Sequence, residues 1–391
     1  MHNVQKALIH SRVIHTLMAN VVVLGAGMVG SAIARDLSDS HQVTAVDCNA
    51  DTLRYLHERY RLHTTRANLS DAKEIRRAIR NADLVIGAVP GFMGFQTCKT
   101  VIEAGKNLVD ISFFPEDAFL LHNLARKNKV TAVTDCGVAP GLDNILLGYH
   151  YHRIQVDEFV CMVGGLPVER NLPFQYKAPF SPLDVLEEYT RPARIIENNN
   201  IIEKPALSDP ELIHVEGIGT LEAFNTDGLR SLIKTMPVRN MREKTLRYPG
   251  HRQLIETLRD CGFFSAEKMK INGASLRPLD FTARILLPQW KLQPNEKEFT
   301  AMRVIITGIE KKKKTTYTYD LLDFTDTENQ ITSMARTTGF TCAATARLVL
   351  SGNYRHAGIS PPEYLGKNEN TFRFVLHYLS ERNVHIRVKK T

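Results

Sequence analysis

The stretch Asn20-Val-Val-Val-Leu-Gly-Ala-Gly-Met-Val-Gly-Ser-Ala-Ile-Ala-Arg35 decides how the first part of this chain folds. Residues 20–24 form a short β-branched run, which predicts a strand buried on both faces. Gly25, Gly27 and Gly30 follow with the spacing G-x-G-x-x-G, and residues 31–37 continue as a predicted helix. In a dinucleotide-binding turn the first glycine permits the tight turn, the second lets the diphosphate approach the backbone, and the third brings helix and strand together. The N–H groups of the first helical turn, which includes Met28 and Val29, would face the phosphates.

A second apolar run, residues 42–46, ends in Asp47, which lies 22 residues after Gly25. A dinucleotide-binding fold places the carboxylate that binds the ribose hydroxyls at this point. The alternative is that Asp47 caps a helix beginning near Ala50, but the order of strand, turn, helix, strand and acid favours ribose binding. A carboxylate beside the 2′-phosphate of NADP would cost roughly a few kcal/mol at an effective dielectric constant of about 20. We therefore expect NAD, with NADP less favoured, although Arg54 lies one helical turn further on and would favour NADP.

The composition is that of a soluble globular protein of 391 residues, with 43% hydrophobic and 24% charged residues. This length is enough for two domains. No window of about 18 apolar residues is present, so no membrane span is expected. The formal charge is +8, but the positive residues are scattered. The four consecutive lysines at 311–314 lie between two strand-like segments and predict a hairpin tip rather than a nucleic-acid site.

The six cysteines are widely spaced, with no C-x-x-C pair and no histidine cluster, so no metal site is expected. We interpret them as reduced thiols of a cytoplasmic protein. Residues 1–17 contain no acidic residue and are treated as an extension before the first domain, a transit peptide being the alternative.

Helical and strand-like segments alternate after Asp47. Strands are predicted at 63–67, 84–89, 107–111 and 130–134, and helices at 51–61, 71–80 (with Ser70 as N-cap), 95–104 and 116–127. This alternation implies a doubly wound parallel sheet of the Rossmann type, in which ligands bind at the carboxyl ends of the strands. Val89 and Pro90 at one strand end are therefore assigned to cofactor binding, and Asp110 and the segment from Asp135 mark two further strand ends.

The pattern changes from about residue 157 to strand-like runs at 158–163, 282–287, 300–307 and 315–324, separated by long polar segments. This predicts a second, α+β domain with an antiparallel sheet. We assign residues 18–140 to an NAD-binding α/β domain and residues 141–338 to a substrate, catalytic and dimerisation domain. Further helical patterns lie at 345–350 and 372–380.

Several ordered motifs from residue 20 onward resemble those of the saccharopine dehydrogenase family, and within it those of the lysine 6-dehydrogenase branch. They are Asp135-Cys-Gly-Val-Ala-Pro-Gly-Leu-Asp-Asn-Ile-Leu146, Gly164-Gly-Leu-Pro-Val168, Tyr176-Lys-Ala-Pro-Phe-Ser-Pro182, Leu221-Glu-Ala-Phe-Asn-Thr-Asp227, Thr245-Leu-Arg-Tyr-Pro-Gly-His251, Ala335-Arg-Thr-Thr338 and Ser360-Pro-Pro-Glu363. The resemblance implies a Rossmann domain, a second domain with an antiparallel sheet, and C-terminal helices within 339–391 that pack back onto the first domain. It also implies oxidation of a C–N bond with NAD or NADP. Phe180 stands where many relatives have a tryptophan, so the pocket wall is expected to differ.

This chemistry requires an unprotonated amine, because hydride leaves the carbon that bears it. With a reference lysine pKa of about 10.4, only about one amine in a few thousand is neutral at pH 7, so a base or a desolvated pocket must supply the difference. Asp110 is our first candidate acceptor of the ammonium or proton shuttle, the alternative being a cap for the helix near Glu116. Cys136 is a candidate proton donor, with a buried apolar filler as the favoured alternative. Lys177 is a candidate for binding a carboxylate or assisting proton transfer, or else a surface lysine.

The candidate substrate-binding residues lie within the motifs quoted above. Arg247 is the expected partner of an α-carboxylate, because a guanidinium grips a carboxylate with two parallel hydrogen bonds. Tyr248 and His251 are assigned to the same pocket, an ordinary structural histidine being the alternative for His251. Asn144 and Thr226 are expected to hydrogen-bond the amino-acid head group.

The leading hypothesis is an NAD-dependent amino-acid dehydrogenase acting on the ε-amine of L-lysine. The second is a saccharopine dehydrogenase, for which Arg191, Arg194 and Arg239 would bind the extra dicarboxylate arm. The third is a catalytically inactive NAD-binding regulator. We expect a small-molecule substrate, no nucleic-acid or membrane partner, and a homodimer.

Overall fold

The computed structural model describes residues 18–178, 182–293 and 296–391. The predicted extension at 1–17 and the position of Phe180 lie outside these residues. The elements up to residue 133 alternate between strand and helix: β1 (Asn20–Leu24), α1 (Met28–Ser38), β2 (Gln42–Asp47), α2 (Ala50–Tyr60), β3 (His63–Arg66), α3 (Ala72–Ala78), β4 (Leu84–Gly87), α4 (Gly91–Glu103), β5 (Asn107–Asp110), a 3₁₀ turn (Ala118–Leu121), α5 (His122–Lys127) and β6 (Thr131–Val133).

The remaining elements build a second domain and then return to the first. They are α6 (Leu142–Tyr151), β7 (Gln155–Pro167), α7 (Pro182–Thr190), β8 (Ala193–Glu197), β9 (Asn200–Lys204), β10 (Glu211–Val215), β11 (Gly219–Asn225), α8 (Leu232–Thr235), β12 (Asn240–Arg247), α9 (His251–Asp260), β13 (Met269–Ile271), β14 (Ala274–Leu276), α10 (Pro278–Trp290), β15 (Glu298–Glu310), β16 (Lys313–Phe324), α11 (Ser333–Leu350), β17 (Gly358–Ser360), α12 (Glu363–Lys367), α13 (Glu369–Glu381) and β18 (Ile386–Lys390).

The first sheet is parallel throughout, with the strand order β17-β6-β5-β4-β1-β2-β3. Successive residues of β1 point to opposite faces, because the side-chain period of a strand is two. Val21 and Val23 belong to the same buried cluster as Ile33 of α1, whereas Val22 and Leu24 belong to a second cluster that includes Val101 of α4. Both faces are therefore covered, and the prediction of a doubly wound Rossmann-type sheet is confirmed.

The second sheet has the order β10-β11-β12-β7-β15-β16-β18, with β8 and β9 attached beside β12. It is mixed rather than purely antiparallel, because β12 runs parallel to β7. The hairpin of β15 and β16 turns at Lys311 and Lys312, whose φ angles of 49° and 67° suit a tight two-residue turn. The predicted lysine-rich hairpin tip is therefore confirmed.

The last part of the chain touches both sheets. Helix α11 lies against α1 so closely that a Cβ atom on Gly339 would lie 3.2 Å from Cγ1 of Ile33, and β17 extends the first sheet. Strand β18, in contrast, pairs with β16 of the second sheet. Residues 339–391 thus do not all pack onto the first domain.

Three local predictions were wrong. The segment 282–287 lies in helix α10 rather than in a strand; its buried residues Thr282, Ala283 and Leu286 follow a helical period, which a short apolar run does not reveal. The N-cap of α3 is Asp71, which accepts a hydrogen bond from the Lys73 amide at 2.8 Å, and not Ser70. The predicted helix 116–127 is a 3₁₀ turn followed by the short helix α5.

All six cysteines are free thiols. Within the described residues, no group of three or more His, Cys, Asp or Glu side chains is arranged to hold a metal ion. In the same part of the chain, every helix is too short or too polar to span a bilayer.

Candidate active site

The three glycines of the turn between β1 and α1 have different surroundings. A Cβ atom on Gly25, whose φ is +101°, would lie 2.3 Å from the Ala88 carbonyl oxygen, and one on Gly30 would lie 2.0 Å from the Gly25 carbonyl oxygen. A Cβ on Gly27 would meet no atom of the described part of the chain within 4 Å. The first and third glycines therefore permit close packing, whereas the second borders open space. No side chain of the described residues caps α1 at Gly27, so the residues present fit a diphosphate at the helix N-terminus.

Asp47 lies at the end of β2, beside this turn. Its Oδ2 accepts a hydrogen bond from the Ala26 amide at 2.7 Å, and its Oδ1 accepts one from the Asn49 amide at 2.9 Å. Helix α2 is capped by Asn49, not by Asp47, so the capping alternative was wrong. The position suits a carboxylate that binds ribose hydroxyls.

A cavity of about 890 Å³ extends from this turn to the second sheet. All eight residues predicted to bind the dinucleotide line it: Gly25, Gly27, Met28, Val29, Gly30, Asp47, Val89 and Pro90. Residues 111–113, which follow β5, and residues 137–140, which follow β6, line its middle. The carboxyl ends of the parallel strands thus form one wall of the cavity.

Strand β12 supplies much of the opposite wall. Because side chains alternate along a strand, Glu243, Thr245 and Arg247 share one face, and all three line the cavity. Lys244, between them, points away and pairs with Glu211 on the opposite face. The β12 row, as we call Glu243, Thr245 and Arg247, therefore brings an acid, a hydroxyl and a guanidinium into the cavity.

Arg247 is 2% exposed and is held by protein acceptors. Its Nε donates to the Tyr189 hydroxyl at 2.9 Å, its Nη1 to the Leu246 carbonyl oxygen at 2.8 Å, and its Nη2 to Glu188 at 3.1 Å. The guanidinium therefore already binds a carboxylate of the protein, and this arrangement does not offer the free two-bond face that was expected for a substrate.

Four of the acids that line the substrate end of the cavity each have an arginine partner. The pairs are Asp135 with Arg230 at 3.0 Å, Asp227 with Arg194 at 2.8 Å, Glu188 with Arg247 at 3.1 Å, and Glu187 with Arg191. The fifth acid, Glu243, accepts a hydrogen bond from the Thr226 hydroxyl at 2.6 Å, and no lysine or arginine of the described residues pairs with it. Burial raises the pKa of Glu243 to about 8.

Two family models match the two parts of the chain. One, described as the saccharopine dehydrogenase C-terminal domain, matches residues 137–384, and the other, described as the saccharopine dehydrogenase NADP binding domain, matches residues 21–133. The chain belongs to the saccharopine dehydrogenase family. The family predicted from the sequence motifs is thereby confirmed, and with it a nicotinamide dinucleotide as the cofactor of the first domain.

Individual relatives are distant. Alpha-aminoadipic semialdehyde synthase of Arabidopsis thaliana is 26% identical over 237 residues, which cover 55% of this chain and 22% of that protein. This chain therefore spans about a fifth of that relative's length. Carboxyaminopropylagmatine dehydrogenase of Synechocystis sp. is 22% identical over 372 residues, which cover 88% of this chain and 92% of that one. Apo saccharopine dehydrogenase (L-Glu forming) of Saccharomyces cerevisiae has the same fold, with a TM-score of 0.77 at 17% identity over 95% of this chain and 100% of that one.

The three predicted catalytic residues do not line the cavity of this saccharopine dehydrogenase family member. Asp110 is buried at the end of β5, where it accepts hydrogen bonds from the Ser112 amide at 2.9 Å and the Ser112 hydroxyl at 3.2 Å, and burial raises its pKa to about 8. Cys136 is buried and donates to the Thr345 hydroxyl, and burial raises its pKa to about 12. Lys177 forms an ion pair with Glu296 at 3.2 Å.

The predicted substrate residues are divided between the cavity and the packing behind it. Thr226 and Arg247 line the cavity, whereas Asn144, Tyr248 and His251 do not. Asn144 binds Glu363 at 2.9 Å, and the Tyr248 hydroxyl donates to the Pro167 carbonyl oxygen at 2.9 Å. His251 lies behind Arg247; its Nε2 is 3.0 Å from the Tyr189 hydroxyl, and burial lowers its pKa to about 3. His251 is therefore a neutral histidine, and it supports Arg247 through the Tyr189 hydroxyl.

Sequence reasoning missed the acids of the cavity, above all Glu243. One signal was present: Glu243 and Thr245 lie four and two residues before Arg247, so a strand that places Arg247 in a site places them there also.

Proposed function

We propose that this chain is an NAD(P)-dependent dehydrogenase that oxidises the C–N bond of an amine, with the ε-amine of L-lysine as the first substrate to test. The observation that carries this proposal is the cavity itself, which joins the glycine turn of the first domain to the β12 row of the second. The glycine turn would hold a dinucleotide, and the acids of the second domain line the same cavity.

An amine substrate arrives as an ammonium ion and must lose one proton before its carbon can lose hydride. A nicotinamide dinucleotide held at the glycine turn would supply the hydride acceptor, and water would then convert the iminium product into an aldehyde and ammonium. We propose that Asp110 takes the proton through Ser112, since Ser112 lines the cavity and its hydroxyl donates to Oδ2 of Asp110 at 3.2 Å. Removing a proton from a group with a pKa of about 10.4 at pH 7 costs about 4–5 kcal/mol, so a base held at this point matters.

We propose NAD as the preferred cofactor because the Asp47 carboxylate lines the cavity where the adenosine ribose would lie. Arg54 does not offset this charge, since it pairs with Asp51 on the exposed side of α2. A specific observation keeps NADP as the second candidate: Arg66 is the register partner of Asp47 on β3, and its Nε donates to the Cys48 carbonyl oxygen at 3.2 Å.

Saccharopine is less well supported than a cationic amine. Of the arginines considered for its dicarboxylate arm, Arg191 and Arg194 are each paired with a carboxylate, and Arg239 donates to Asn198 at 3.1 Å. The Synechocystis relative that matches over most of both chains is named for an agmatine derivative, and such a compound suits an acidic cavity. We therefore propose it as the second substrate class.

An assay of dinucleotide reduction at 340 nm tests the proposal. Purified protein is mixed with NAD or NADP and with L-lysine, saccharopine or carboxyaminopropylagmatine. We expect reduced dinucleotide to form with lysine or the agmatine derivative. Tight dinucleotide binding by calorimetry without turnover of any of the three would instead support the inactive regulator. We also propose a homodimer, which light scattering of the eluted protein would test, and a cytoplasmic location, which fits six free thiols.

A further inference from the structure

At the substrate end of the cavity, one acid has no lysine or arginine partner among the described residues. Each of the other four acids there has an arginine partner, as described above, whereas the side chain of Glu243 accepts a hydrogen bond only from the Thr226 hydroxyl among the described residues. Other buried carboxyl groups, such as those of Asp110 and Glu363, also lack a lysine or arginine partner among the described residues, but they do not line the cavity. Glu243 differs from them because it lies in the wall of the cavity.

Glu243 is held firmly in place. It is 4% exposed, and its Oε2 accepts the Thr226 hydroxyl on one side. On another side, a Cβ atom on Gly228 would lie 2.4 Å from the same oxygen, so the carboxylate packs directly against this glycine. The Oε1 atom receives no hydrogen bond from the described residues. A fixed carboxylate with one unpartnered oxygen thus borders the cavity.

Both negative and positive groups lie near Glu243, since Glu188 and Asp227 are each paired with an arginine. Glu188, Asp143 and Asp227 all act on it to favour its protonated form. A buried carboxylate without a cation is unfavourable, and a cation within hydrogen-bond reach removes that penalty. A neutral or anionic ligand group would not remove the penalty of burying the carboxylate. The site therefore selects for positive charge.

We propose that Glu243, positioned by Thr226 and Gly228, binds a cationic nitrogen of the substrate, either an alkylammonium or a guanidinium group. This inference rests on the proposed amine dehydrogenase activity and narrows its substrate class to compounds with such a nitrogen at the β12 row. The nitrogen is either the one whose bond is oxidised or a second one at the far end of the substrate.

Calorimetry tests whether Glu243 binds a cationic nitrogen. The whole chain is saturated with NADH and then titrated separately with L-lysine, agmatine and glutarate. Wild-type protein should bind lysine or agmatine more tightly than glutarate, and Glu243→Gln should weaken amine binding at least about tenfold, which is about 1.4 kcal/mol. NADH affinity should stay within about twofold, since Glu243 is not at the glycine turn. The control is Glu222→Gln on the neighbouring strand β11, a buried carboxylate that pairs with Arg252 and does not line the cavity; it should leave amine binding unchanged.

The outcomes separate this inference from the proposed function. If wild-type protein binds NADH and turns over an amine but Glu243→Gln binds that amine as tightly, the inference is wrong and the function stands. If wild-type protein binds neither amine, or prefers glutarate, the inference is also wrong. If NADH does not bind, the proposed function itself fails. If Glu243→Gln raises KM and leaves kcat unchanged, Glu243 binds a second nitrogen of the substrate. If it lowers kcat and changes the pH profile, Glu243 binds the reacting amine.

Discussion

The substitution Glu243→Gln should change how the stability of the second domain depends on pH. In the folded protein burial raises the pKa of Glu243 from 4.5 to about 8, whereas in the unfolded chain the carboxyl ionises near its ordinary value. Between these two values the folded state binds more protons than the unfolded state, so the free energy of unfolding falls as pH rises. Each pKa unit corresponds to 1.36 kcal/mol, which makes the full effect about 5 kcal/mol.

Glutamine keeps the size and the hydrogen bond to Thr226 but does not titrate. The variant should therefore gain stability relative to wild type from pH 5 to pH 9, by several kcal/mol at most. Other buried acids, such as Asp110 and Glu298, titrate in both proteins, and their contributions cancel in the difference.

Urea unfolding followed by the fluorescence of Trp290 is the suitable assay. Trp290 is the single tryptophan of the chain and is buried in the second domain, packed edge-on against Tyr176 and Tyr189. We expect the midpoint of Glu243→Gln to exceed that of wild type by more at pH 9 than at pH 5. A difference that is the same at both pH values, or that reverses, would refute the assigned environment of Glu243.

Three further substitutions test other parts of the site. Gly30→Ala would place a methyl group 2.0 Å from the Gly25 carbonyl oxygen. It should lower the free energy of unfolding, measured by chemical denaturation, by about 1–3 kcal/mol and weaken dinucleotide binding. An unchanged free energy of unfolding would contradict this packing. Cys136→Ala should lower the free energy of unfolding by about 1 kcal/mol and keep kcat within about threefold of wild type, because Cys136 is buried and outside the cavity. A fall in kcat of about a hundredfold would instead identify Cys136 as a catalytic residue. Asp47→Asn should lower the ratio of kcat/KM with NAD to kcat/KM with NADP about tenfold or more, since one negative charge beside a 2′-phosphate is worth roughly a few kcal/mol; an unchanged ratio would remove Asp47 from cofactor choice.

The first domain could be predicted almost completely from sequence, because its signals are local. The alternating apolar runs predict the strands, and the glycine spacing together with Asp47 predicts the turn and the residues that bind the dinucleotide. The structure places every one of those predicted residues along one cavity. The errors there concern element ends, such as the N-cap of α3. In the second domain the segment 282–287 carried an apolar run that suits a strand and a helix equally, and its helical period became visible only through burial.

The substrate side was harder to predict, because it depends on contacts between residues far apart in sequence. Arg247 was found, but its partner Glu188 lies 59 residues away, so the sequence could not show that the guanidinium was already engaged. Asp135 and Arg230 are separated by 95 residues and belong to different domains. The position of Glu243 behind Thr226 depends in the same way on the pairing of β11 with β12.

The most direct test of the central claim is a fluorescence titration of NADH, and in parallel NADPH, into wild-type protein and Gly27→Ala. A Cβ atom on Gly27 would lie more than 4 Å from every neighbouring atom of the residues that the structure describes, so the variant should unfold at the same denaturant concentration as wild type. Because that space is where the diphosphate would lie, its dinucleotide affinity should fall at least about 100-fold, or about 2.7 kcal/mol. A Gly27→Ala protein that binds the dinucleotide as tightly as wild type would contradict the account.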